Sequence, residues 1–228
     1  KEARSYLSFR GYSEELIKEF RIGFSNDYEG LVKAFRESGK FDMYFLCDEA
    51  EILHRKQHGW FDKFHHRLIF PVSDSNGKII AFNGRILNHV KGSGVPKYVN
   101  SRDTQVFKKK KTLYGLAKAK QAIIQAGFVY IVEGPTDVAT LWDLNIRNVV
   151  ASLGTAFSME HLRQLKGVTK NFVLLMDGDK AGKKASDSMI DILLTANGVV
   201  KIVSLPDNHD PDSYKREFGA DKLVEYLK

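Results

Sequence analysis

Phe172-Val173-Leu174-Leu175-Met176-Asp177-Gly178-Asp179 is an apolar run that ends in two acids around a glycine. Five consecutive apolar residues read as a strand buried on both faces. Two further runs repeat the arrangement. Val129-Tyr130-Ile131-Val132 leads into Glu133-Gly134, with Asp137 close behind. Val199-Val200-Lys201-Ile202-Val203 leads towards Asp210-Pro211-Asp212. A fourth strand is expected at Asn148–Ala151. Helical stretches separate the strands, roughly Thr136–Leu144, Ser158–Leu165 and Lys180–Ala196, and short helices at Pro211–Glu217 and Ala220–Leu227 follow. This alternation predicts βαβ units with right-handed crossovers and a parallel sheet.

Acids at the C-terminal ends of neighbouring parallel strands share one crevice, where open α/β sheets bind ligands. Glu133, Asp137, Asp177, Asp179, Asp210 and Asp212 cannot share it uncompensated, because repulsion and desolvation would raise their pKa values and destabilise the fold. A divalent cation removes the conflict, and oxygen-only ligands favour Mg²⁺ or Mn²⁺. Taken singly, each acid has a plainer reading: Asp179 as the cap of its helix, Asp137 as a first-turn acid. The ordered series of strand ends is far more specific than any one of them.

Working back from Gly127, the pattern changes. Ser13 is placed to cap a helix over Glu14–Phe20. Asp27 is expected to cap a second helix through Phe35, closed near Gly39. Arg67–Val72 and Lys78–Arg85 read as strands of a hairpin around Ser73-Asp74-Ser75-Asn76-Gly77. Asn88–Pro96, with Gly92 and Gly94, reads as a mobile loop, and Thr112–Ala126 as a helix rich in Ala and Lys. The expected division is a mixed α+β part over 1–126 and a parallel α/β part over 127–228.

Charge follows the same division. Residues 1–126 carry 23 Lys and Arg against 14 Asp and Glu, a net of +9, while residues 127–228 carry 12 against 14, a net of −2. A basic half joined to a carboxylate-rich half suits a polyanionic substrate; a basic surface kept for solubility is the alternative. The 228 residues hold a single cysteine, Cys47, expected as a buried thiol, which excludes a disulfide framework and a cysteine-rich zinc site. No apolar stretch approaches the roughly 20 residues of a membrane span, and no signal peptide is visible, so a cytoplasmic protein without a membrane partner is expected. The chain opens on a charged, helix-like segment without Met and reads as a fragment of something longer.

Strand–Glu133-Gly134-x-x-Asp137, then strand–Asp177-Gly178-Asp179-x-x-Gly182, then Leu205-Pro206 with Asp210-Pro211-Asp212, resembles the Toprim domain of primases, topoisomerases and some nucleases. Further stretches resemble the bacterial DnaG-type replicative primase: Tyr6-Leu7 with Arg10-Gly11, Ile22-Gly23-Phe24, Arg67–Val72, Gly84-Arg85, Pro96-Lys97-Tyr98, Asn100-Ser101, Phe107, Leu113-Tyr114-Gly115-Leu116 and Ala151-Ser152-Leu153-Gly154-Thr155. The resemblance covers nearly the whole chain. Pro135 departs from the bulky residue common there, Asn208 from a common Gly, and His65 from a basic residue.

The resemblance implies a Rossmann-like Toprim subdomain after a basic primase N-terminal core, and metal-dependent synthesis of RNA primers on single-stranded DNA from ribonucleoside triphosphates, with an RNA–DNA hybrid as product. It implies catalytic roles for Glu133, Asp177 and Asp179, with Asp137, Asp210 and Asp212 completing a Mg²⁺ or Mn²⁺ site. Glu133 is either a base or a ligand. Arg10, Arg67, Arg85, Lys97, Tyr98 and Lys109 fall at nucleotide- or template-contacting positions, although Tyr98 reads equally as core and the Lys108–Lys111 run as a solvated face. A replicative helicase would be met only through a region outside this sequence, and no zinc is expected here. The alternatives are another Toprim enzyme (a nuclease or topoisomerase part), a nucleic-acid-binding module with structural metal, and a phospho-receiver. His65-His66 and His209 read as ordinary surface histidines.

Overall fold

The computed structural model describes residues 1–57, 59–90, 92–195, 197–206 and 209–227. In chain order the elements are α1 (Glu2–Phe9), α2 (Glu14–Glu19), β1 (Gly23–Ser25), α3 (Gly30–Glu37), α4 (Met43–Glu49), β2 (Leu53–Lys56), β3 (Gly59–Asp62), β4 (Arg67–Ser73), β5 (Ile79–Ile86), β6 (Tyr98–Asn100), α5 (Leu116–Ala126), β7 (Val129–Val132), α6 (Pro135–Asp143), β8 (Val149–Ala151), α7 (Met159–Lys166), β9 (Asn171–Met176), α8 (Lys180–Leu194), β10 (Val199–Ser204), α9 (Pro211–Phe218) and α10 (Ala220–Tyr226).

The four apolar runs form one parallel sheet in the order β10-β9-β7-β8. Every residue of β7 and β8 is buried, as parallel strands covered on both faces require. β10 lies at an open edge, with Val199 and Ile202 exposed. At the other edge, Tyr114 exchanges two backbone hydrogen bonds with Ala151 of β8, of 2.8 and 3.1 Å.

That bridge corrects the helix expected from Thr112. Thr112 is extended, Tyr114 pairs with the sheet, and α5 begins only at Leu116. The reversal uses Gly115 at φ +83°, where a Cβ would meet Val138 Cγ1 at 3.2 Å and the Val149 carbonyl at 3.3 Å. Thr112 and Tyr114 favour extended backbone and Gly115 breaks a helix, so the tertiary pairing and the local propensity agree.

The first half is built on an antiparallel sheet, β1-β4-β5-β6, with β2 and β3 as a separate hairpin. The β4–β5 turn forms as expected: Asp74 Oδ1 accepts from the amides of Asn76 and Lys78, and Gly77 carries φ +81°. Ser13 caps α2 through the Leu16 amide. Asp27 does not cap α3; it accepts from Glu29 N, ahead of the helix, while the first-turn amide of Leu31 donates to Asp62 Oδ2 on β3 at 3.0 Å. The strands β1, β2, β3 and β6 and helix α4 were not legible in the sequence pattern. Cys47 packs with Val32, Tyr44 and Leu53 in a small core of its own, where burial pushes its thiol up. Asn208, and the parts of the 88–96 loop and the 180–196 helix at Lys91 and Ala196, lie outside the described residues.

One hydrophobic core runs from Ala3 in α1 to Leu223 in α10, so both halves share it. Polar ties reinforce the junction: Tyr12 Oη donates to the Thr136 carbonyl at 3.1 Å, and Asp143 in α6 accepts from Ser13 N at 3.2 Å and Lys215 Nζ at 2.9 Å. Among the described residues no helix is long and apolar enough to cross a membrane.

Just past β9, Gly178 is packed too tightly for a Cβ. A Cβ on Gly178 would stand 2.3 Å from the Pro206 carbonyl oxygen and 2.9 Å from that of Leu205. Gly178→Ala therefore forces backbone movement beside Asp177, and we expect a loss of about 1–3 kcal/mol in denaturant unfolding. Full retention of stability would show that this loop yields freely.

Candidate active site

Parallel topology delivers Glu133 from the end of β7 and Asp177 from the end of β9 side by side; the Asp177 amide donates to Glu133 Oε1 at 3.3 Å. Asp137 reaches the same place from the first turn of α6, and Asp210 from the N-cap of α9. Asn83, Lys97, Tyr98 and Asn100 close the other side from β5, β6 and the preceding loop. Together they line a crevice of about 160 Å³ between the two sheets.

The carboxylates perturb one another as expected. Burial first, then the charges of Glu133, Asp210 and Asp179, pushes Asp177 up to about 7. Asp137 is raised well above the ordinary range by burial and by Asp210 and Asp177, against the Gly134 amide that donates to it at 2.9 Å. Glu133 is raised by burial, with Asp179 and Asp210 adding to the effect. Asp210 alone is lowered: burial opposes this, but hydrogen bonds from Ser213 and the charges of Arg10 and Lys97 outweigh it. Lys97 is the exposed counter-charge; its ammonium lies 5.6 Å from the Tyr98 ring centroid and favours the ionised Asp177.

The other two acids stand apart from the crevice lining. Asp179 is exposed and caps α8, accepting from Gly182 N at 2.8 Å, though its charge is felt by Glu133 and Asp177. Asp212 is 1% exposed and paired with Arg10 Nη1 at 2.7 Å and Arg216 Nε at 3.0 Å. Among the described residues no three His, Cys, Asp or Glu side chains already form a ligand cluster. Asp137, Asp179 and Asp210 each hold a backbone amide. The all-oxygen donor set and the raised carboxyls fit a hard divalent cation.

Among the described residues, Lys97 is the one basic residue that lines the crevice, with Tyr98 beside it. Arg10, Arg67 and Arg85 are buried behind it. Arg67 Nη1 donates to the carbonyls of Lys97 (3.2 Å) and Gly84 (3.4 Å), and so props the Lys97 backbone. Arg85 donates to the Tyr6 and Tyr98 hydroxyls, and Arg10 to the Tyr6 hydroxyl at 2.7 Å. Lys109 sits outside, in a 3-10 turn, where its amide donates to Asp103 and its carbonyl accepts from His161 Nε2. Sequence reasoning gave no site role to Tyr6, Asn83, Asn100 or Thr136, although Tyr6 and Asn100 stand in family-like stretches. Tyr6 and Arg10 share a helical face at i, i+4, a spacing that was available. Asn83 Nδ2 donates to Asn100 Oδ1, whose own Nδ2 holds the Leu153 carbonyl, and no local pattern pairs these two asparagines.

The raised carboxyls set a pH dependence. A folded-state pKa of about 7 for Asp177, against an ordinary 3.8, means that the folded protein holds a proton that the unfolded chain has lost. Stability from this group is complete in acid and falls as pH rises between those values, with Glu133 and Asp137 acting in the same direction and Asp210 opposing. The metal-free protein is expected to melt at lower temperature at about pH 8 than at about pH 5, with Mg²⁺ or Mn²⁺ recovering most at the higher pH. Asp177→Asn should flatten the profile. A Tm that rises steadily with pH would contradict the carboxylate cluster.

The family described as "DNA primase catalytic core, N-terminal domain" matches residues 1–120, and a Toprim-like family matches residues 130–215. The chain is similar to the DNA primase of Aquifex aeolicus, with 38% identity over 223 residues that make up 98% of this chain and 44% of that protein. A DNA primase domain from Pseudomonas aeruginosa superposes with a TM-score of 0.88 at 36% identity, over 100% of this chain and 71% of that one. A DnaG primase catalytic domain bound to single-stranded DNA gives 0.87 at 34%, again over 100% and 71%. The chain spans less than half the length of the curated relatives it matches. With one profile covering more than half of its residues and a Toprim-like sheet carrying the acids, this chain belongs to the DNA primase catalytic-core family.

Proposed function

We propose that this chain is the catalytic centre for DNA-templated synthesis of short RNA primers from ribonucleoside triphosphates. The carrying observation is the crevice in which Glu133, Asp137, Asp177 and Asp210 face Lys97 and Tyr98 across the two halves. The single-stranded DNA bound by the similar DnaG domain supports a single-stranded template here, with an RNA–DNA hybrid as product. We place the functional division near residue 126, with a basic part that holds template and a Toprim part that holds triphosphate. A helicase would act through a region outside this sequence.

In the reaction a 3′-hydroxyl oxygen bonds to the α-phosphorus as the bond to the β-phosphate oxygen breaks; pyrophosphate leaves and the hydroxyl loses its proton. Mg²⁺ or Mn²⁺, when bound, supplies the positive charge that the phosphate oxygens and the attacking oxygen require. Glu133 and Asp177 would hold it, with Asp137 and Asp210 acting directly or through water; Asp179 contributes charge from the rim. Asp212 serves this site as the counter-ion of Arg10. Lys97 pairs with phosphate, and Tyr98 offers its ring to a base and its hydroxyl as a donor. Arg10, Arg67 and Arg85 support these two from behind, and Lys109 meets template phosphates farther out.

A topoisomerase part would need a nucleophilic tyrosine, whereas the hydroxyl of the crevice tyrosine, Tyr98, is tied to Arg85 and to Thr136 Oγ1. A phospho-receiver leaves Glu133 and the basic half without a role.

Asp177→Ala in the whole primase should lower labelled-nucleotide incorporation on single-stranded DNA on the order of a hundredfold or more. Activity near that of the parent would remove Asp177 from the chemistry. Lys97→Ala should weaken single-stranded DNA binding and make the log–log salt slope shallower by about 0.7, the value of one phosphate contact. An unchanged slope would move the contact elsewhere. Glu133→Gln separates the two roles open to Glu133: loss of Mn²⁺ affinity marks a ligand, whereas retained affinity with a lost acid limb in the pH–rate profile marks a base.

A further inference from the structure

Arg21 stands where the chain leaves α2, exposed and with φ of +51°. Its amide donates to the Lys18 carbonyl at 3.2 Å, and the next amide, of Ile22, donates to the Ile17 carbonyl at 2.9 Å. This pair of bonds is the left-handed helix stop at which glycine is the ordinary residue, because a Cβ is strained there. Arginine at this position costs stability, and no internal contact offsets the cost. Its guanidinium makes no hydrogen bond or ion pair among the described residues. A strained residue kept without an internal partner points to something that the chain binds.

Arg21 lines a cleft of about 300 Å³ between the end of α2, the β4–β5 turn and the start of α5, a volume within reach of a small ligand. Among the described residues none lines both this cleft and the acidic crevice. Lys118 lines the cleft from α5; its ammonium lies 3.7 Å from the Glu19 carboxylate and 5.5 Å from the Phe20 ring centroid. Two cations therefore share the cleft with one carboxylate. Ser73, Ser75 and Asn76 add side-chain donors from the turn, and none of these side chains is hydrogen-bonded among the described residues. The rest of the wall is apolar: Phe20, Pro71, Ile79 and Tyr114, with the Phe20 and Tyr114 rings stacked at 5.9 Å.

We propose that this cleft is an accessory site for a small organic phosphate, a phosphomonoester carried on a compact apolar body. The Arg21 fork and the Lys118 ammonium take the phosphate oxygens, and the turn's hydroxyls and amide complete their hydrogen bonds. The body lies against Phe20 and Ile79. Inorganic phosphate alone would leave the apolar wall in water, and a purely apolar ligand would strip water from both cations without giving them a partner. The site does not depend on the polymerase reading, which places template and triphosphate at the crevice.

Three probes test it: phenyl phosphate, inorganic phosphate and phenol, each titrated calorimetrically into the whole primase without added divalent cation, so that the crevice carboxylates repel phosphate. Phenyl phosphate should bind on the order of tenfold more tightly than inorganic phosphate or phenol. Arg21→Gly puts the ordinary residue at φ +51°, so this variant should keep or raise its Tm while losing about tenfold in phenyl phosphate affinity. Lys118→Gln should weaken the same binding severalfold. On the unaltered protein, 4-azidophenyl phosphate should label the peptides that carry Phe20, Ile79 or Tyr114. Absence of phenyl phosphate binding up to about 10 mM would overturn the site. So would equal affinity for inorganic phosphate, a stable Arg21→Gly protein that binds like the parent, or labelling confined to the peptides with Lys97 or Lys108–Lys111. A lower Tm for Arg21→Gly would show that the arginine serves the fold, and would overturn it too.

Discussion

Mutual repulsion among carboxylates at the ends of parallel strands is the constraint around which the rest is arranged. β7 and β9 run side by side in the same direction, so Glu133 and Asp177 cannot avoid each other. The helices that follow bring Asp137 and Asp210 into the same space, and the site becomes costly to ionise without cation. The protein relieves part of this with local donors: Gly134 N on Asp137, Ser213 on Asp210 and Gly182 N on Asp179. Asp177 lacks such a donor and is raised, and the more deeply buried Asp137 is raised in spite of one. The site is kept in tension that a divalent ion would remove.

The basic half answers that tension at two depths. Lys97 meets solvent and the crevice, where a phosphate would lie. Behind it Arg10, Arg67 and Arg85 are buried, and buried guanidiniums persist only when their donors are used. They are used on Asp212, on the Lys97 and Gly84 carbonyls, and on the hydroxyls of Tyr6 and Tyr98. A connected path thus runs from Asp212 in α9 through Arg10, Tyr6 and Arg85 to Tyr98, which meets Thr136 Oγ1 at 3.0 Å. That path fixes Toprim helices against the antiparallel sheet, so the crevice wall belongs to both halves. Shared packing from Ala3 to Leu223 has the same effect.

Much of the parallel sheet was legible because its signal is local. A strand covered on both faces is an unbroken apolar run, and β7 and β9 match theirs within a residue. Ser13 and the Asp74–Gly77 turn were legible for the same reason, since cap and turn chemistry depends on residues two to four apart. The short strands β1, β2, β3 and β6 were not. Three or four residues carry too little periodicity, and their pairing partners lie far along the chain. Residues 112–115 were read as part of the Ala- and Lys-rich helix that follows them, but Thr112 and Tyr114 favour extended backbone and the open edge of β8 claimed Tyr114.

The sequence by itself determined the family, the alternation of strand and helix, and the delivery of acids to one end of a parallel sheet, because each of these is encoded in short apolar runs and their immediate followers. Tertiary structure alone decided what each charge does. Six acids that look equivalent in sequence divide into a crevice group of Glu133, Asp137, Asp177 and Asp210, an exposed helix cap at Asp179, and a buried counter-ion at Asp212. Four basic residues that look equivalent divide into the exposed Lys97 and the buried Arg10, Arg67 and Arg85. The physical reason is that a charge's effect depends on burial and on its nearest partner. For Arg10 and Asp212 the partner lies more than a hundred positions away, where no local pattern can announce it.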